Sequence, residues 1–117
     1  MKKTCLITGA TDGIGKQTAL ELAHRDYSLV LVGRNLEKGD AVVSELIRET
    51  GNEFIQFHCA DMSSMKAVKD LAIKIQRSYD TIDSLLNNAG AYFSQFKLTD
   101  DGFETTIALN HFVYGEK

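Results

Sequence analysis

Thr8-Gly9-Ala10-Thr11-Asp12-Gly13-Ile14-Gly15 spaces three glycines as G-x-x-x-G-x-G, directly after an apolar run and directly before a helical one. Thr4-Cys5-Leu6-Ile7-Thr8 reads as a short strand ending at Gly9. From Ile14 onward, Ile14, Thr18, Ala19, Leu22 and Ala23 recur with the period of a helix. A glycine loop that leaves a first strand and opens a first helix offers backbone N–H groups where a dinucleotide pyrophosphate sits. On this reading each glycine has a task. Gly9 permits the turn, Gly13 lets the backbone approach the phosphates, and Gly15 lets helix pack closely on strand. Thr11 and Asp12 carry side chains that bond backbone N–H groups and so brace the loop. The competing reading is a purely structural turn, because any tight strand-to-helix connection favours residues with positive φ.

Outward from the loop, the alternation continues. Ser28-Leu29-Val30-Leu31-Val32 is a second apolar run, bounded by Asp26 and Gly33. Val42, Val43, Leu46 and Ile47 share one helical face, and Gly51-Asn52 is a C-terminal stop. Phe54 to Cys59 makes a third strand, and Val68, Leu71, Ala72 and Ile75 give a third helical face. Ile82 to Leu86 makes a fourth strand that ends in Asn87-Asn88-Ala89-Gly90. Phe103, Ile107 and Ala108 suggest a fourth helix that begins near Thr99 or Asp100. Near-continuous apolar strands separated by helices predict an α/β protein with a parallel sheet covered on both faces. Right-handed crossovers make it doubly wound, with Rossmann topology and four strands present. Residues 1–117 form one unit, without proline, repeat or linker.

Composition narrows the function classes. With 44% hydrophobic and 25% charged residues and a net charge of -3, the chain is that of a globular protein. Acidic and basic residues are interspersed, which argues against a nucleic-acid face. The apolar run after Lys2-Lys3 is too short for a signal peptide, and no stretch approaches the ~18 apolar residues of a membrane span. The expected location is the cytoplasm. Cys5 and Cys59 fall on the first and third strands, about 9.6 Å apart and beyond the ~7 Å reach of a disulfide, so both are expected as buried small apolar residues. His24, His58 and His111 show no metal-ligand spacing, and no metal is expected.

The residue that contacts the adenosine ribose should stand about 20 residues past the loop, at the end of the second strand. That count lands on Gly33-Arg34-Asn35, where an arginine replaces the acid that would accept from a 2′-hydroxyl. A guanidinium pairs with a 2′-phosphate, so NADP(H) is favoured over NAD(H), with Arg34 and Asn35 as binding residues. Glu37 falls inside the following helix and cannot substitute. The alternative for Arg34 is a solvated side chain at a helix start.

The glycine loop and Asn87-Asn88-Ala89-Gly90 together resemble the two signatures of the short-chain dehydrogenase/reductase family, at matching topological positions from Met1 to about Val113. Within the family the chain looks most like members acting on retinoid, steroid or other lipophilic carbonyls and alcohols. The resemblance implies an NADP(H)-dependent oxidoreductase that moves hydride between nicotinamide and a small carbonyl or alcohol. It implies that Asp61, between Ala60 and Met62, holds the adenine amino group, though Asp61 is equally suited to cap the next helix. Asn88, Ala89 and Gly90 would line the nicotinamide ribose, and Asn110 would hold a water in a proton relay. The family's proton chemistry uses a Tyr-x-x-x-Lys pair with an upstream serine, and this chain contains no such pair. The chain is therefore expected to stop before the fifth strand, to hold the cofactor half only, and to lack turnover by itself. The fourth strand would then form a sheet edge. A homo-oligomer is implied by the family, with its interface helix partly represented. The alternative function is a non-catalytic dinucleotide-binding module or regulatory partner; a sugar-nucleotide epimerase or dehydratase ranks below it.

Overall fold

A computed structural model describes residues 2–11, 13–61, 64–79, 81–87 and 96–97. The elements are β1 (Thr4–Thr8), α1 (Gly13–His24), β2 (Ser28–Gly33), α2 (Leu36–Thr50), β3 (Ile55–Cys59), α3 (Met65–Ser78), β4 (Thr81–Ile82), β5 (Ser84–Asn87) and β6 (Phe96–Lys97). Four strands form one parallel sheet in the order β3-β2-β1-β5. β5 is the outer strand on its side among the described residues. The order has the chain running outward from β1 to β3 and then back across β1 to β5, which is the doubly wound arrangement.

Alternation along β1 and β2 divides the core into two. Leu6, Val30 and Val32 point to one face, where Val68, Leu71, Ala72 and Ile75 of α3 cover them. Cys5, Ile7, Leu29 and Leu31 point to the other, under Ala19 and Ala23 of α1 and Val42 and Leu46 of α2. Every strand residue from Leu29 to Val32 is buried, as a sheet covered on both faces requires. The buried positions of α1 are Gly15, Ala19 and Ala23, a row of small residues that brings the helix close to the sheet. Ile14 departs from the periodic reading: it is helical but 77% exposed, at the open end of the sheet.

Helix limits follow side-chain chemistry. Asn35 caps α2 by accepting from the Lys38 N–H at 3.0 Å, and Gly51 ends it in the left-handed region at φ 73°. Ser64 caps α3 through the Ala67 N–H at 3.2 Å. Asp26, at φ 67°, closes α1 in the same left-handed conformation that glycine commonly supplies. The expected fourth strand is divided, because Asp83 interrupts it. The Asp83 N–H donates to the Thr4 carbonyl at 2.9 Å, and its carboxylate accepts from the Thr4 N–H at 2.7 Å. Its side chain thus occupies the place of a ladder bond. β4 turns away to pair antiparallel with β6, a pairing that periodicity had not suggested.

Cys5 and Cys59 lie on β1 and β3 with β2 between them, and both are free. Burial pushes the Cys5 thiol pKa up, partly offset by its hydrogen bond with Ser84. Cys59 corrects the expectation of burial: it is exposed, because β3 is an edge strand and the residue stands at its open end.

Two polar residues inside the fold generate predictions. Asn52 is buried and donates to the Ala23 carbonyl at 3.2 Å and the Tyr27 carbonyl at 2.7 Å, while accepting from the Phe54 N–H at 2.8 Å. It ties the end of α1 and the entry to β2 to the entry to β3. Asn52→Ala orphans three backbone groups and should destabilise the chain by about 3 kcal/mol in denaturant unfolding. His58 Nε2 is buried with no hydrogen-bond partner among the described residues. Burial, and secondarily the charge of Lys74, hold its pKa below the ordinary 6.5. The unfolded chain therefore binds a proton before the folded one does as pH falls, so stability declines below about pH 6.5. His58→Gln should flatten this part of the pH dependence, read as denaturation midpoints between about pH 7 and 5. Equal slopes in the two proteins would refute it.

Candidate functional site

The carboxyl ends of the strands stand side by side because the register aligns them. Thr8 is level with Val32 of β2 and Asn87 of β5, and Gly33 is level with Cys59. Two bonds extend the ladder one step past the strands: the Gly9 N–H to the Val32 carbonyl at 3.0 Å, and the Ala60 N–H to the Gly33 carbonyl at 2.9 Å. Gly9, Arg34 and Ala60-Asp61 consequently leave three adjacent strands at one edge of the sheet.

The glycine loop occupies the centre of that edge. Gly9 and Gly13 have φ of 66° and 56°, in the left-handed region. At Gly13 a Cβ would meet nothing within 4 Å among the described residues, which leave the loop open on that side. At Gly15 a Cβ would stand 2.3 Å from the Gly9 carbonyl oxygen and 3.1 Å from the Ala10 Cα. That clash is with backbone, and no rotamer relieves it. The turn at Gly9 and the close helix packing at Gly15 are thus both present in the backbone. α1 begins at Gly13, so its first N–H groups, which have no partners within the helix, and the positive end of its dipole face the open side. An anionic group is the natural occupant.

Around the loop, Thr11 is half-buried, with its Cγ2 3.3 Å from where a Gly33 Cβ would be. Arg34 is exposed, immediately past β2. Its carbonyl accepts from the Cys59 thiol at 3.3 Å, and Asn35 beside it spends its side chain on the α2 cap. Glu37 lies in the first turn of α2, as expected. Asp61 is exposed past β3, and its carbonyl accepts from the Ser64 N–H at 3.0 Å. The capping alternative for Asp61 is corrected here: Ser64 caps α3, three residues further on. Lys16 of α1 and Glu45 of α2 pair at 2.6 Å, and the lysine's hydrogen bond holds the Glu45 carboxyl below its usual range.

Thr8, Gly9, Thr11, Gly13, Ile14, Gly15, Arg34, Asn35, Ala60 and Asp61 are thus brought to one edge of the sheet. Asp12, Met62, Asn88, Ala89, Gly90 and Asn110, with the expected fourth helix, lie outside the described residues. Periodicity passed over Phe57, Gly39 and Ser64. A serine three residues before Ala67 was the available signal for the cap. Among the described residues no three His, Cys, Asp or Glu side chains gather as a metal site, and no helix is long and apolar enough to cross a membrane.

A doubly wound parallel sheet with an open, left-handed glycine loop between its first strand and first helix defines a nucleotide-binding α/β protein. Comparison with known proteins narrows the class. The family model for short chain dehydrogenases matches residues 3–114, and the chain belongs to that family. Human retinol dehydrogenase 13 is 40% identical over 109 residues, 93% of this chain and 33% of the relative. The NADPH-dependent reductase YwfH, involved in bacilysin biosynthesis, superposes with a TM-score of 0.72 at 31% identity, over 77% of this chain and 35% of the other. A citronellol catabolism dehydrogenase from Pseudomonas aeruginosa PAO1 gives 0.70 at 39% identity, over 75% and 36%. The chain spans about a third of the length of the curated relatives it matches. The family comprises oxidoreductases that bind NAD(P) and act on small molecules.

Two glycine variants separate contact from strain. Gly15→Ala should lower the melting temperature sharply, because backbone must move to admit the methyl. Gly13→Ala meets no atom of the described residues, so the fold should lose only the ~1–2 kcal/mol of a left-handed alanine. Thermal unfolding of both would show it; equal losses of stability would overturn the distinction.

Proposed function

We propose that this chain supplies the cofactor-binding part of an NADP(H)-dependent oxidoreductase in the cytoplasm, one that moves hydride between nicotinamide and a small carbonyl or alcohol. The observation that carries the NADP(H) reading is Arg34, an exposed arginine at the end of β2 where a 2′-hydroxyl binder would need an acid. Glu37 does not replace that acid in the reading, since it stands inside the first turn of α2 rather than at the end of β2. The similarity to YwfH, an NADPH-dependent reductase, supports the same choice.

The loop fits the cofactor. Gly9 and Gly13 bend the backbone and Gly13 leaves the open side that a pyrophosphate needs, with Thr8, Thr11 and Ile14 beside them; Gly15 brings α1 close, and Asp12 would complete the loop. Asp61, with Ala60 and Met62, would accept from the adenine amino group. Asn88, Ala89 and Gly90 would line the nicotinamide ribose, and Asn110 would hold a relay water. Bound, the cofactor supplies or accepts hydride; the residues of this chain bind and orient it. Similarity to retinol dehydrogenase 13 favours a lipophilic carbonyl or alcohol as substrate.

Titrating the chain with NADPH and with NADH tests the reading. NADPH should bind more tightly, and Arg34→Gln should reduce that preference about ten- to a hundredfold, the worth of a lost charge-assisted bond. Arg34→Asp should reverse it by repelling the phosphate. Equal affinities in the unaltered chain would refute the assignment.

A further inference from the structure

Two glycines bracket the turn that carries Arg34, and one aromatic ring lies against both. Gly33 precedes Arg34 at the end of β2; Gly39 follows in the first turn of α2, its N–H bonded to the Asn35 carbonyl at 2.9 Å. At Gly39 a Cβ would lie 2.3 Å from Cε2 and Cζ of Phe57, so the ring occupies the space a side chain would take. At Gly33 a Cβ would lie 3.3 Å from Phe57 Cε1 and 3.3 Å from Thr11 Cγ2. The ring therefore presents Cε2 and Cδ2 to α2 and Cε1 to the end of β2, with Cζ near both and the Arg34–Asn35 turn spanning them. Cys59, two residues along β3 and so on the same face, donates its thiol hydrogen to the Arg34 carbonyl at 3.3 Å. β3 thus supports this turn twice, by an aromatic seat and by a hydrogen bond.

We infer that Phe57 is a positioning residue for recognition of the 2′-phosphate. The ring sets where the Arg34 backbone stands relative to the glycine loop, and so how strongly the chain prefers a 2′-phosphorylated adenosine. This rests on the reading of Arg34 given above. A ring that served only to pack α2 on the sheet would affect all ligands alike. A ring that places Arg34 affects only the ligand Arg34 touches, because 5′-phosphate contacts arise from the loop after β1.

The test uses the 117-residue chain with two half-cofactors, 2′,5′-ADP and 5′-AMP, titrated calorimetrically. The unaltered chain should prefer 2′,5′-ADP, and Arg34→Gln should remove the preference. Phe57→Ala should lower it about fivefold while moving 5′-AMP affinity less than about twofold. Gly39→Ala, which displaces the ring without removing it, should shift the ratio in the same direction. If Phe57→Ala does not fold, Phe57→Leu and Gly39→Ala are read by the same ratio. An unchanged ratio in the Phe57 and Gly39 variants, or equal losses for both ligands, overturns the role of Phe57 while Arg34 stands. No preference in the unaltered chain, or one indifferent to Arg34→Gln, overturns the reading of Arg34 itself.

Discussion

The first turn of α1 lies so close to the loop after β1 that a methyl at residue 15 would stand 2.3 Å from the Gly9 carbonyl oxygen, and much of the architecture depends on that approach. It forces a hydrogen at residue 15 and favours small side chains further along the same face, where Ala19 and Ala23 are buried. A helix held that near the sheet starts its N–H groups at the strand ends rather than beyond them. The loop can then be open on its outer side while its inner side is filled to van der Waals contact. The open loop and the close packing come from one constraint, which is why the glycine spacing is informative about both.

The second dependence is register. Parallel pairing keeps β3, β2, β1 and β5 level, so the residues leaving them meet at one edge. Much of what maintains that level lies at the opposite end of the sheet. Asp83 grips both polar groups of the Thr4 backbone with its own N–H and carboxylate. Asn52 ties α1, β2 and β3 at their entries, and Lys2 bonds Asp26 while lying 4.6 Å over the Phe54 ring. Of these side chains Asn52 is buried, and a buried polar group with its bonds made specifies one arrangement, whereas apolar contacts alone tolerate sliding.

The parts legible in the sequence were those governed by short-range rules. The strands Thr4–Thr8 and Ser28–Val32 were visible because a strand buried on both faces must be apolar throughout. Helices α2 and α3 showed in their single apolar faces, and the glycine loop in residues that nothing else could replace. What was not legible depended on long-range geometry. Asp83 looked like a polar residue inside a strand, because its partner Thr4 is 79 positions away. Ile14 fitted a helical period and is nonetheless exposed, since periodicity locates a face but not where the sheet ends. Cys59 looked like a buried apolar residue, because burial at the last residue of a strand depends on whether that strand is an edge.

The same distinction explains why Arg34 could be found from spacing while its support could not. The count from the loop to the end of β2 is set by the length of one βα unit, a local quantity. The seat beneath it combines a ring on β3, a bare position on β2 and another on α2, three elements that converge only after the sheet has formed. Gly39 in particular reads as a defect, a glycine inside an otherwise regular helix that costs roughly 1 kcal/mol relative to alanine. The ring that fills its missing side-chain volume supplies the reason: intrinsic helix stability is given up where an aromatic group from the neighbouring strand takes the space. A glycine within a helix, when it faces a sheet, therefore marks a point where another element comes close. Here the point of approach lies four residues from Asn35 and five from Arg34, so a local irregularity in α2 marks the support of the residues proposed to choose the cofactor.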